Sequence, residues 1–242
     1  MRAIRGVLFD KDGTLVDFHA TWFAIADRLA LEAAGGSRVH ADALLERAGY
    51  DFSLQRFRPD SIFAAGTNAE IVAAWFPKAL EQERRRWTAY FDQVTAREGA
   101  ERAVPVAGLN QALATLREGG LRLGLATNDS TAGARQTLLS LGVAQMFDAA
   151  FGYDAVPSPK PAPDIVRAFA EATELAAAHI AMVGDSAHDI EAGKAAGAGL
   201  VVGVLSGTGT RETLAGADVI LDSVADLPAL LGCERCGTTR DF

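Results

Sequence analysis

The chain has 242 residues, of which 49% are hydrophobic and 22% are charged, and its formal net charge is −8. This length and apolar content suffice for one large domain, or for a core domain with a smaller insert. The acidic charge argues against broad binding to nucleic acid or to anionic membranes. No apolar run approaches the roughly 20 residues that cross a bilayer, and the beginning of the chain lacks the apolar segment of a signal peptide, so we expect a cytoplasmic protein.

Six short apolar runs predict strands. They are AIRGVLF, LRLGLAT, DAAFG, HIAMVG, GLVVGV and DVIL, and such near-continuous runs are typical of strands that are covered on both faces. Helical patterns lie between them, at 108–119, 131–141, 163–174, 187–197 and 224–231, and the segment TGTRETLAGA predicts one or two further helical turns. Alternating strands and helices predict an α/β fold with a parallel sheet and right-handed crossovers.

Residues 17–103 break this alternation, because they contain no clear strand. They predict several helices, at about 18–35, 40–49, 68–76 and 78–98, with Asp17 as the N-cap of the first. The simplest interpretation is an all-α domain inserted after the first strand. The α/β core then consists of residues 1–16 and 104–242, and the insert of residues 17–103.

Polar side chains follow three of the predicted strands, where the chain leaves the sheet: Asp10 and Asp12, Thr127 and Asn128, and Asp185 with Asp189 one turn later. Because the carboxyl ends of parallel strands share one edge, where such sheets bind ligands, we expect these side chains to converge. Carboxylates that crowd together repel unless a cation lies among them, and their hard oxygens suit Mg²⁺. Each residue alone has an ordinary explanation as a turn or cap, so it is the set in this order that indicates a site.

Lys160 adds a positive charge to this set. It lies in PSPKPAP, where the flanking prolines stiffen its loop, although a lone lysine there would be an ordinary surface residue. A metal, this lysine, nearby hydroxyl and amide donors, and the open backbone of Gly13 together predict a phosphate site.

These motifs resemble those of the haloacid dehalogenase-like hydrolases, and most of all their phosphoglycolate phosphatase-like branch. The four motifs stand here as DKDGTL, LATND, Lys160 and GDSAHD, the last followed by IEAGKAAGA, and they span residues 4 to 199. The resemblance implies a Rossmann-like three-layer core with a parallel sheet. It also implies that the insert is an α-helical cap, which closes over the site and selects the leaving group.

The resemblance implies a chemical role for each acidic position. Asp10 is the expected nucleophile, which forms an aspartyl-phosphate, and Asp12 is the expected general acid and then general base. The expected cofactor is Mg²⁺, held by Asp10, by Asp12 through its backbone carbonyl, and by Asp185. Asp189 is expected to support this metal site or to hold Lys160.

The resemblance also implies which residues bind the substrate. Thr127 and Lys160 are expected to bind the phosphoryl oxygens, with Asn128 assisting, and Gly13 and Thr14 belong to the same expected site. Positioning and charge neutralisation of this kind account for most of the catalysis of phosphoryl transfer.

The residue two positions after the nucleophile distinguishes branches of this superfamily. Asp12 favours a phosphatase or a phosphomutase, and Thr14 favours hydrolysis. We therefore expect a Mg²⁺-dependent phosphatase for a small phosphorylated metabolite, with 2-phosphoglycolate as the leading substrate. A β-phosphoglucomutase-like phosphotransferase and a catalytically silent ligand-binding module remain alternatives, and the protein is expected to be a monomer or a homodimer.

The insert segment RFRPDSIFAAGTN is the expected substrate-facing loop. Its Arg56 and Arg58 can bind a second carboxylate or phosphate of the substrate, or they can be exposed arginines without that role. His19 lies near the expected hinge, and its simplest interpretation is a helix-start residue with no catalytic role.

Both cysteines lie near the end of the chain, in CERC (Cys233 and Cys236). A CxxC pair occurs in redox sites and as half of a zinc site, but no nearby histidine or cysteine supplies the other zinc ligands. We therefore expect two thiols in a loose tail.

Overall fold

The computed structural model describes residues 3–233 of the chain. Its elements begin with β1 (Gly6–Phe9), α1 (Phe18–Ala33), α2 (Arg38–Arg47), β2 (Tyr50–Asp51), β3 (Arg56–Phe57), α3 (Ile62–Ala65), α4 (Asn68–Trp75) and α5 (Glu81–Glu101). They continue with α6 (Leu109–Glu118), β4 (Arg122–Ala126), α7 (Thr131–Ser140), β5 (Ala149–Phe151), α8 (Asp164–Thr173), β6 (Ile180–Gly184), α9 (Ala187–Ala196), β7 (Leu200–Val204), β8 (Val219–Leu221) and α10 (Leu227–Leu230). All six predicted strands are confirmed.

The six strands form one parallel sheet in the order β5-β4-β1-β6-β7-β8. The last residue of β1, Phe9, pairs with Leu125 of β4 and with Val183 of β6. Successive residues of a strand point to opposite faces, so Val7 and Phe9 pack into one apolar layer and Leu8 into another. Helix α6 contributes to the first layer and α8 to the second, which confirms an α/β fold covered on both faces.

Helices α1 to α5 lie between β1 and α6 and form an apolar cluster of their own. Ile25 and Leu29 of α1 belong to this cluster together with Trp75 and Phe91, whose ring centroids are 5.5 Å apart. Such a separate core is what an inserted domain requires, because it buries its own apolar faces. The boundaries of that domain at residues 17 and 103 remain a prediction.

The insert differs from its prediction at several points, among them the short helix α3, where no helix is predicted, and α5, which begins at Glu81 rather than at 78. It is not entirely helical, because β2 and β3 form an antiparallel hairpin in which Tyr50 pairs with Phe57. Strands of two residues are too short to produce a period-two pattern, so the sequence does not reveal them. In addition, α2 begins at Arg38 rather than at 40, because the side chain of Ser37 accepts a hydrogen bond from the His40 amide and caps the helix.

Three points concern the rest of the chain. The segment TGTRETLAGA forms hydrogen-bonded turns, and in one of them the Leu214 amide donates to the carbonyl of Thr210 at 2.9 Å, which is the four-residue spacing of a helical turn. Within residues 3–233, no helix combines the length and the apolar character that crossing a bilayer demands. Cys233 is partly buried and forms no disulfide with another described residue, and Cys236 lies outside the described residues, as does most of the predicted tail.

Candidate active site

Three strand ends meet at the middle of the carboxyl edge of the sheet. Asp10 directly follows β1, Thr127 follows β4 and Asp185 follows β6, and β1 lies between the other two strands. The backbone amide of Asp10 donates to the carbonyl of Val183 at 2.8 Å, so the sheet itself holds Asp10 in position. All three side chains line one cavity, which is the convergence that the topology predicts.

This cavity has a volume of about 50 Å³ and lies between the sheet edge and the helical insert. Six of the predicted site residues line it: Asp10, Asp12, Thr127, Asn128, Lys160 and Asp185. The insert contributes mainly apolar and aromatic side chains, among them Phe18, Trp22, Phe63 and Ile71. Pockets for drug-sized ligands measure roughly 300–1,000 Å³, so this cavity suits only a small substrate.

The buried ammonium of Lys160 joins two of the aspartates. Its Nζ donates to Asp10 Oδ1 at 2.5 Å, to Asp189 Oδ1 at 2.7 Å and to the carbonyl of Ala126 at 3.0 Å. The side chain of Asn128 holds the backbone of Lys160, because it donates to the Lys160 carbonyl at 2.9 Å and accepts from the Lys160 amide at 3.0 Å. This is the arrangement expected if Asp189 serves to hold Lys160.

Carboxylate oxygens of Asp10, Asp185 and Asp189 lie within 4.8 Å of one another, and all three residues are buried. Three hard-oxygen donors around one ammonium leave a negative charge that suits a divalent cation such as Mg²⁺. Asp189 is the least available donor, because its Oδ2 accepts hydrogen bonds from the Ser186 hydroxyl at 2.6 Å and from the Ser186 amide at 3.1 Å. The residues therefore fit a metal held mainly by Asp10 and Asp185, with Asp189 behind Lys160.

Burial and mutual repulsion raise the proton affinity of the Asp10 and Asp185 carboxyls. Burial, with the charges of Asp189 and Asp12, outweighs the attraction of Lys160 and raises the pKa of Asp10 to about 7. Burial and the charges of Asp10 and Asp189 also raise the pKa of Asp185 well above its usual value. Burial lowers the pKa of Lys160, but the charges of Asp10 and Asp189 outweigh this effect and hold that pKa above its usual value. A metal-free site therefore retains protons on its carboxyls up to near-neutral pH.

This proton uptake predicts how the stability of the metal-free protein depends on pH. The pKa of Asp10 is about 7 in the folded protein and 3.8 in the reference state, so the folded state binds the proton more tightly than the unfolded state. Its contribution to stability is therefore present at low pH and is lost as pH rises from about 4 to about 7. In excess chelator, the melting temperature of Asp10→Asn should therefore increase relative to that of wild type as pH rises across this range.

The matched control for this experiment is Asp222→Asn. It makes the same chemical change at a carboxylate that is exposed, whereas Asp10 is buried. Its melting temperature should follow the same pH dependence as wild type. Equal slopes for wild type and Asp10→Asn would contradict the raised pKa of Asp10.

Gly13 lies against the carboxylate of Asp185. Its φ is +85°, and a Cβ at this position would lie 2.4 Å from Asp185 Oδ2, the oxygen that also accepts from the Thr208 amide at 2.8 Å. Two features therefore require glycine at position 13, namely the left-handed backbone conformation and the close approach of Asp185.

If Asp185 holds Mg²⁺, Gly13→Ala is expected to raise the Mg²⁺ concentration needed for half-maximal activity by about tenfold or more, because the added Cβ would displace that carboxylate. Gly35→Ala is the matched control, since Gly35 also has a positive φ of +60°, but a Cβ added there would meet no atom within 4 Å. Gly35→Ala should lose only the stability that backbone strain costs, and Gly13→Ala should lose more, because it adds the clash with Asp185; thermal unfolding measures both losses. An unchanged Mg²⁺ requirement in Gly13→Ala would contradict this interpretation.

The remaining predicted substrate residues do not line the cavity. Thr14 is fully buried, and its hydroxyl has no hydrogen-bond partner among the described residues. Arg56 and Arg58 are exposed, whereas Phe57 between them is buried, because alternate residues of an extended segment face opposite sides. Arg58 donates to the backbone carbonyl of Glu46 at 3.3 Å, on the insert itself. The structure therefore does not bring either arginine to Asp10.

The residues that hold the Asp12 side chain were not among the sequence-predicted ones. The ammonium of Lys11 is buried, lies 3.3 Å from Asp12 Oδ2 and forms an ion pair with Asp129. The indole Nε1 of Trp22 donates to Asp12 Oδ1 at 2.7 Å. Lys11 had a sequence signal, namely a charged residue between two carboxylates at the end of a buried strand, whereas nothing in the local sequence distinguishes Trp22.

Comparison with known proteins agrees with this geometry. The sequence profile of the haloacid dehalogenase-like hydrolases matches residues 4–197. The phosphoglycolate phosphatase of Salmonella typhi is 35% identical over 244 residues, which cover 96% of this chain and 94% of that protein. The phosphoglycolate phosphatase of Escherichia coli (strain K12) is 35% identical over 242 residues, which cover 95% of this chain and 93% of that protein.

A solved structure extends this similarity to the fold. The crystal structure of a predicted phosphoglycolate phosphatase from Haemophilus somnus 129pt has a TM-score of 0.72 and 21% identity, and the match covers 95% of this chain and 99% of that one. At this identity the likeness concerns the fold alone, and the family rests on the sequence matches. The chain belongs to the haloacid dehalogenase-like hydrolases, in their phosphoglycolate phosphatase-like branch, and is a phosphoric monoester hydrolase.

Proposed function

We propose that this protein is a Mg²⁺-dependent phosphatase that hydrolyses a small phosphorylated metabolite through an aspartyl-phosphate on Asp10, with 2-phosphoglycolate as the leading substrate. The observation that carries the proposal is the buried Asp10 carboxylate, 2.5 Å from Lys160 and grouped with Asp185 at the sheet edge. The relatives that are 35% identical over nearly the whole chain are named phosphoglycolate phosphatases, which supports the leading substrate. The small volume of the cavity, about 50 Å³, supports a small leaving group.

In the first half of the reaction, a carboxylate oxygen of Asp10 attacks phosphorus. The bond between phosphorus and the leaving oxygen breaks, its electron pair stays on that oxygen, and Asp12 donates a proton to it. Burial raises the pKa of Asp12 against the opposing charge of Lys11, which favours the protonated form that this step needs. The products of this step are the alcohol and a phosphorylated Asp10.

In the second half, the Asp12 carboxylate accepts a proton from a water molecule. The water oxygen attacks phosphorus, the bond between phosphorus and Asp10 breaks, and the electron pair returns to the Asp10 carboxylate. Inorganic phosphate leaves, and Asp12 again carries its proton. The two residues therefore return to their starting states after each turnover.

The other residues bind and neutralise the phosphoryl group. Lys160 and Thr127 line the cavity together with Asp10, and Asn128 holds the backbone of Lys160. Mg²⁺ would be held by Asp10, by Asp185 and by the backbone carbonyl of Asp12, and when bound it neutralises charge on the phosphoryl oxygens. We do not include Arg56 or Arg58 in this site.

The first experiment is phosphate release in the presence of Mg²⁺ from a panel of phosphorylated metabolites, with 2-phosphoglycolate and several sugar phosphates included. Efficient release from one small compound supports the phosphatase and identifies its substrate. Chromatography of each reaction also detects an isomeric sugar phosphate. Conversion of one sugar phosphate into another without free phosphate would overturn hydrolysis in favour of phosphotransfer, and binding without any turnover would indicate a silent module.

A further inference from the structure

The side chain of Asp12 is contacted at both carboxylate oxygens. Trp22 donates from Nε1 to Oδ1 at 2.7 Å, and the Lys11 ammonium lies 3.3 Å from Oδ2. Lys11 and Asp12 belong to the loop after β1, whereas Trp22 belongs to α1 of the insert. The carboxyl group is therefore held from the core and from the insert at the same time.

Lys11 is part of a buried cluster and cannot be explained as a surface charge. It is 1% exposed, it forms an ion pair with Asp129, and its Nζ lies 5.2 Å from the centroid of the Trp22 ring. The Thr95 hydroxyl of α5 lies 3.3 Å from the Asp129 carboxylate and donates to it. A buried ammonium is costly unless it is paired, and an aromatic face adds attraction for a desolvated cation. The cluster thus fixes the Lys11 ammonium and the Trp22 ring beside Asp12.

We propose that Lys11 and Trp22 are positioning residues that aim the Asp12 carboxyl at the leaving oxygen, and that Trp22 makes its contribution only when the insert lies against the sheet edge. The proposal rests on the proposed function, because it concerns the proton transfer that Asp12 performs. The carboxyl group of an aspartate rotates easily about χ2. Contacts on both oxygens fix this rotation, and proton transfer needs a fixed orientation of the carboxyl group.

Two variants remove these contacts with little change of shape. Trp22→Phe keeps an aromatic ring and loses the N–H donor, and Lys11→Met keeps the aliphatic stem and loses the charge. With the best alkyl phosphate as substrate, each variant should release the alcohol about tenfold more slowly in a single turnover. General acid catalysis typically contributes roughly 10²–10⁴-fold to a rate, and this loss is a part of that contribution. The substrate concentration for half-saturation should change little.

A second substrate separates positioning from general damage. p-Nitrophenyl phosphate loses a stabilised anion that needs no proton, so its first step should slow by less than about twofold in both variants. Because both contacts act on one carboxyl group, the double variant should lose less than the product of the single losses. Equal losses with both substrates, or no loss with the alkyl phosphate, would overturn the proposal.

Trp75→Phe is the matched control. Trp75 is also a buried tryptophan of the insert, but it packs in the apolar cluster of helices α1 to α5 and does not line the active-site cavity. It should reproduce any loss of activity that comes only from weakening the insert. If Trp75→Phe slowed the alkyl phosphate more than p-nitrophenyl phosphate to the same extent as Trp22→Phe, the role would not be specific to Trp22.

A spectroscopic measurement tests the contact without any turnover. The chain has three tryptophans, so its indole N–H resonances can be assigned by replacing Trp22, Trp75 and Trp87 in turn with phenylalanine. Asp12→Asn should shift the Trp22 indole resonance and leave the other two in place. An unmoved Trp22 resonance would overturn the inference even if the protein proves to be a phosphatase, and a shift would support it even if the substrate differs.

Discussion

Asp10→Asn is expected to abolish phosphate release, a decrease of about a thousandfold or more, because the amide has no carboxylate oxygen that can attack phosphorus. The replacement has nearly the same shape and keeps a hydrogen-bond acceptor 2.5 Å from the Lys160 ammonium, so the site should remain folded. Steady-state phosphate release measures the loss. Rapid acid quenching measures the intermediate, and protein-bound phosphate should form in wild type and be absent from the variant.

The control for this substitution is again the exposed Asp222→Asn, which removes one negative charge from a residue that does not line the cavity. It should keep wild-type turnover and wild-type levels of protein-bound phosphate. Appreciable turnover in Asp10→Asn, with a melting temperature that shows it to be folded, would remove Asp10 as the nucleophile. Phosphate bound to a different residue would have the same consequence.

Removal of divalent cations has the second largest expected effect. A chelator should reduce phosphate release to background, because without a cation the buried carboxyls of Asp10 and Asp185 stay protonated up to near-neutral pH and, above it, repel each other and the incoming phosphate dianion. Adding Mg²⁺ in excess should restore the activity. Ca²⁺ should compete with Mg²⁺ and inhibit, because its larger and looser coordination would misalign the attacking oxygen. Activity that survives in chelator would contradict a metal-dependent mechanism.

Thermal unfolding measures metal binding independently of activity. A ligand that binds only the folded state raises the melting temperature, so Mg²⁺ should stabilise wild type at pH 8. Asp185→Asn should be more stable than wild type without metal, because it removes one of the repelling buried charges, and Mg²⁺ should stabilise it much less. Equal stabilisation of both proteins by Mg²⁺ would show that Asp185 is not a ligand.

The amino-acid sequence by itself determined the sheet and the edge that carries the chemistry. The runs that end at Phe9, Ala126 and Gly184 are nearly continuous in apolar residues, so each is recognisable as a buried strand without knowledge of any distant partner. Parallel strands bring their carboxyl ends to one edge, and the residues that follow, Asp10 and Asp185 among them, had to meet there.

The tertiary structure alone decided which side chains of the insert face the site. Arg56 and Arg58 point outward because Phe57 points inward, and a shift of one residue in the hairpin would have reversed this choice. Trp22 meets Asp12 at 2.7 Å because α1 packs its buried face toward the sheet edge. Contacts of this kind depend on how two separately packed apolar clusters are oriented against each other, and no local pattern of residues encodes that orientation.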